Sequence, residues 1–147
     1  MEEIKKIAII LHSVLFAFER TMTRDGKMLG KYSEVTPNII SIIEDVIGDL
    51  ELDLKGSVET ITEEYLKLLK STEMFKGLEI EKKDDTYVLK IGECPFATRV
   101  HEKFELIYYT CPFALFLASL LEKVSEKRVF IGLSKFTEKG SETEIST

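Results

Sequence analysis

The tetrapeptide Cys-Pro-Phe-Ala occurs twice, at Cys94–Ala97 and Cys111–Ala114, and the two copies hold the only cysteines of the chain. His101, one of two histidines, lies between them, with six residues separating it from Cys94 and nine from Cys111. Thiolate and imidazole are zinc ligands, and three of them leave one tetrahedral position open. Cys94, His101 and Cys111 are therefore the candidate metal ligands, with zinc as the candidate ion. The spacing is not that of a compact Cys-x-x-Cys knuckle. If Cys94 caps a helix, His101 lies about 10 Å further along its axis at 1.5 Å per residue. His12 or Glu93 would then have to complete a site built on the two thiols.

The same thiols admit redox chemistry. A thiol at a helix N-terminus has its thiolate favoured by the free amides and the dipole. Two such thiols within reach would form a reversible disulfide. Burial opposes this by raising the thiol pKa. A Cys–His nucleophile pair lacks an oxyanion arrangement and a third orienting residue. No phosphate loop or nucleophile elbow is present. A binding role is expected over an enzymatic one. The plain alternative for both cysteines is a pair of small buried caps.

Proline after each cysteine sets these residues at helix starts, so the chain around them is read as elements. Ile4 to about Met22 is expected to be a helix with a broad apolar face, running through Ile7, Leu11, Val14 and Phe18. A helix apolar on most sides is buried or covered by a partner, and a homodimer is expected. Residues 24–35 read as a loop. Thr36 reads as the cap and Pro37 as the first residue of a helix that Gly48 ends. A third helix is expected from Ser57 to Phe75, with Thr60 and Glu63 at capping-box spacing, a buried stripe of Ile61, Tyr65, Leu68 and Leu69, and Gly77 as its close. The period then becomes two. Leu78–Glu81 and Thr86–Ile91 read as a hairpin about Asp84-Asp85, with Tyr87, Leu89 and Ile91 on one face. Helices follow over 95–108 and 112–126. A strand is expected over Arg128–Thr137, a turn at Lys139-Gly140, and a short strand over Ser141–Ser146. The order helices–hairpin–helices–hairpin predicts an α+β fold, helices packed on a small antiparallel sheet, in one domain spanning residues 1–147.

Composition bounds the function. Apolar residues make up 44% of the 147, enough for one core. A net charge of −6 with no basic stripe argues against a nucleic-acid partner. The apolar run Ile7–Phe18 is too short to span about 30 Å of hydrocarbon. Met1-Glu2-Glu3 is acidic where a signal peptide is basic, so a cytoplasmic protein with reduced thiols is expected.

The phrase Leu89-Lys90-Ile91-Gly92-Glu93-Cys94-Pro95-Phe96, the apolar helix opening at Cys111 and the hairpin turn at Lys139-Gly140 resemble the 4-vinyl reductase-like domain, also described as a hydrocarbon-binding or small-molecule-binding domain. The resemblance covers roughly residues 78–145. It implies the α+β fold shared with transport protein particle subunits and haem nitric-oxide-binding sensors. It also implies an apolar pocket for a small apolar or aromatic ligand, often in a dimer. Several members bind zinc through a cysteine matching Cys111 and cysteines of the final hairpin. Here Phe136, Thr137, Glu142 and Thr143 stand at that hairpin, so the family's usual zinc site cannot be assembled. The aromatics around the two phrases then supply candidate pocket residues: Phe96, Tyr108, Phe113 and Phe116 beside Cys111, with His12 as a polar handle. A structural partner domain with a filled pocket is the other reading of the same resemblance.

Overall fold

A computed structural model describes Glu3, Ile4, Lys6, Ile7, Ile10, Leu11, Val14 and residues 34–94 and 110–147. Among them are three named helices, α1 (Thr36–Leu50), α2 (Val58–Ser71) and α3 (Pro112–Ser125). Five strands accompany them: β1 (Glu79–Lys83), β2 (Thr86–Ile91), β3 (Phe130–Ile131), β4 (Lys135–Phe136) and β5 (Ser141–Ser146). The fold is α+β. The helix expected over 95–108 and most of the expected first helix lie outside the described residues.

The core forms around α3. Its sequence Pro-Phe-Ala-Leu-Phe-Leu-Ala-Ser-Leu-Leu has no polar face, and every residue from Phe113 to Leu121 is buried. Helices α1 and α2 pack against it, and β3 and β5 touch it as well. The inward residues of α1 are Ile39 and Ile43. Those of α2 are Ile61, Tyr65, Leu68 and Leu69, the stripe read from the sequence. Ile7, Ile10 and Val14 join the same core and are fully or nearly fully buried. These three residues of the first segment therefore face their own domain, while Ile4 is exposed. Among the described residues no helix is long and apolar enough to cross a membrane.

Helix ends differ from the expectation where a tertiary contact outcompetes the local signal. Thr36 is the first helical residue and not the cap, a place taken by Val35. Its hydroxyl donates across the fold to Glu122 Oε2 at 3.1 Å. That oxygen also accepts the Val129 amide at 3.0 Å, so Glu122 joins the start of α1 to the chain entering β3. Gly48 does not end α1. The helix runs on until Leu50 reaches the core, and Glu51 then takes a left-handed φ of 57° with its amide on the Gly48 carbonyl. Helix α2 is capped by Ser57, whose Oγ accepts the Thr60 amide at 3.1 Å, one turn before the predicted Thr60–Glu63 box. It stops at Ser71, short of Phe75. Glu73 adopts φ 58°, and the reversal carries Phe75 back into the core. Gly77 therefore opens the sheet and does not close the helix, beside the antiparallel bridge of Lys76 and Glu93.

The sheet is antiparallel, in the order β1-β2-β5-β3, with β4 also on β5. Tyr87, Leu89 and Ile91 face the core beside Ile145. The opposite face carries charge, including a Lys90–Glu81 ion pair at 3.0 Å. The single strand expected over 128–137 is broken in two. Ile131 pairs with Ile145 and Lys135 with Glu142, so Gly132, Leu133 and Ser134 lie opposite only Glu144 and Thr143. One extra residue makes a β-bulge. It shifts the inward phase from Val129 and Ile131 to Ser134 and Phe136, and turns Leu133 outward.

At the other end of β5 the backbones meet closely. A Cβ built on Gly140 would lie 1.8 Å from the Ile91 carbonyl oxygen and 2.6 Å from that of Gly92. Only glycine fits there, because the obstructing atoms are backbone. Gly140→Ala is expected to cost about 3 kcal/mol or more. Gly48→Ala, inside a helix with nothing within 4 Å of the new Cβ, is expected to stabilise by about 0.5–1 kcal/mol. Urea unfolding followed by circular dichroism measures both. Equal effects of the two substitutions would contradict the described turn.

Candidate functional site

Pro112 lacks an amide hydrogen and opens α3, which leaves Cys111 as the N-cap with φ −58° and ψ 126°. The Cys111 side chain makes no capping hydrogen bond. Its backbone amide instead donates to Ser134 Oγ at 2.7 Å. Ser134 is the inward residue of the bulge, and its hydroxyl shares a hydrogen bond with that of Thr143. One residue earlier, Thr110 Oγ1 donates to the Gly132 carbonyl at 3.2 Å. The bulge thus supplies two anchors for the chain entering α3.

The sulfur of Cys111 is enclosed. Burial pushes its thiol pKa up, against smaller opposing effects from the Ser141 hydroxyl and the Ala114 and Phe113 amides. The protonated thiol is the stable form. Tyr65 stands close by. Its hydroxyl donates to the Phe113 carbonyl at 2.8 Å. Burial, with the Cys111 charge as a smaller contribution, raises its pKa well above the usual phenol value.

Cys94 reaches the same corner from the other side. Past Ile91 the chain runs through Gly92 and Glu93, and the Cys94 amide donates to the Lys139 carbonyl at 2.7 Å. Cys94 is half-buried and packs against the core. Lys139 holds the Cys94 phrase through its carbonyl, and the Ser141 hydroxyl, two residues on, is one of the groups that partly offset the upward shift of the Cys111 thiol. The Cys94 phrase is thus fastened to the Lys139–Ser141 turn, whose middle residue is Gly140, and the Cys111 phrase to the bulge of the same final hairpin.

The remaining candidates divide clearly. Phe113 packs edge-on against Phe75 with centroids 4.9 Å apart, and Phe116 stacks on Tyr65 at 5.8 Å. Both are buried against neighbouring side chains. His12, Phe96, His101 and Tyr108 lie outside the described residues. Among the described residues no three His, Cys, Asp or Glu side chains group to hold a metal ion. Sequence reasoning passed over Ser134 and Ser141, and weighed Thr143 only as a missing zinc ligand, not as the partner of Ser134. Gly132 carried the signal for the bulge that aims Ser134 inward.

A concavity lies away from the cysteines. An open groove of about 360 Å³ runs between the first segment, the end of α1 and α2. Leu50, Leu52 and Leu68 line it together with charged residues of both signs. Lys6 and Glu51, 3.3 Å apart, form an ion pair in its wall. No protein-family model matches the chain, and neither a curated protein nor a solved structure matches it.

Two outcomes are expected. Ser134→Ala leaves the buried Cys111 amide without its acceptor and should cost about 1–3 kcal/mol in urea unfolding. An unchanged midpoint would remove the anchoring role. The second concerns pH. Cys111 and Tyr65 both have folded pKa values above their unfolded ones, so the native state holds their protons more tightly. Their contribution is intact at neutral pH. It is lost as pH rises past the unfolded thiol and phenol values, about 8.5 and about 10, towards the folded ones. The unfolding midpoint should fall across that range, and less steeply in a Cys111→Ala, Tyr65→Phe variant. Parallel profiles would show that neither group is responsible.

Proposed function

We propose that this chain is a small-molecule-binding or sensor domain of the 4-vinyl reductase-like kind, working as a homodimer and taking an apolar or aromatic ligand. The observation that supports this reading is the anchoring of both phrases on the final hairpin, the Cys94 amide on the Lys139 carbonyl and the Cys111 amide on Ser134 Oγ. Phe96 and Tyr108 are two and three residues from those anchored cysteines. Aromatic side chains gathered beside a few hydroxyls and amides are the usual make-up of a small-ligand site.

Binding is favoured over thiol chemistry. A thiol kept protonated by burial is a poor nucleophile and a reluctant metal ligand. The zinc or redox alternative would need His101 and Cys94 to outweigh that burial at Cys111. In the folded protein iodoacetamide is expected to label Cys94 well before Cys111.

Native mass spectrometry with 4-vinylphenol, naphthalene and decanoic acid tests the reading. One ligand retained per chain is expected, on a species of twice 16.8 kDa. Hydrogen exchange should slow over residues 110–116 and 139–143 when ligand is bound. A protein that retains none of the three, and whose thermal midpoint none of them raises, overturns the proposal. Ligand retention with slowed exchange confined to the groove beside Leu50 and Leu68 relocates the site.

A specific feature favours a second reading, a partner domain in the manner of transport particle subunits. Phe130 is 62% exposed and Leu133 is 47% exposed, two large apolar side chains near one another at the bulge. If they form a subunit contact, Phe130→Ser combined with Leu133→Ser should convert the oligomer to monomer in analytical ultracentrifugation. An unchanged oligomer would place the contact elsewhere.

A further inference from the structure

We draw no further inference here: the strongest candidate, the buried Cys111 thiol at the start of α3 with the Ser134, Ser141 and Thr143 hydroxyls around it, belongs to the site already described, and no buried side-chain nitrogen or oxygen among the described residues lacks a hydrogen-bond partner that would point to a ligand.

Discussion

A helix buried on every side from its second residue to its tenth has to find partners for its start inside the protein, and α3 is such a helix. The first amides and last carbonyls of any helix have no partner within it. On a surface helix water supplies the difference. For α3 other parts of the fold must. At its start Pro112 removes one donor, and Ser134 receives the Cys111 amide. The Phe113 carbonyl takes a further bond from Tyr65. Near its end Glu122 binds both Thr36 and the Val129 amide. These contacts fix where α1 begins, where α2 must lie and how the chain enters β3. Burial of α3 supplies the driving force, and its polar termini supply the register.

This order of dependence explains which parts of the fold were legible in sequence. The α2 stripe and the hairpin of β1 and β2 follow from periodicity, because one face of each is buried and the other is not. The helix ends were less legible. Thr36 has the chemistry of a cap, yet its hydroxyl goes to Glu122, 86 residues away. Gly48 has the chemistry of a stop, yet burial of Leu50 carries the helix past it. In each case a distant partner outweighed a preference worth about 1 kcal/mol. The broken edge strand failed for another reason. A bulge moves the inward phase by one residue, so Val129, Ile131, Ser134 and Phe136 share no single period.

The candidate site was legible in its cysteines and obscure in its surroundings. Repetition of the Cys-Pro phrase marked Cys94 and Cys111, whose amides are held by Lys139 and Ser134 of the final hairpin. Their neighbours Ser134, Ser141 and Thr143 are ordinary residues of short strands, and nothing in their local sequence distinguishes them from solvated hydroxyls. Phe113 and Phe116 show the converse. Their composition suggested a pocket lining, and their rings are occupied by Phe75 and Tyr65. An aromatic at helical spacing reports burial, and only the facing residue decides whether it meets a ligand or another ring.

The two margins of the sheet bear on how the molecule behaves among copies of itself. On one side β1 is five residues long and reads Glu-Ile-Glu-Lys-Lys. On the other, β3 and β4 are two residues each, offset by the bulge. An incoming strand would meet charged side chains at the first margin and a broken row of amides and carbonyls at the second. Among the described residues, neither margin is a long, regular, apolar strand edge of the kind that templates backbone stacking.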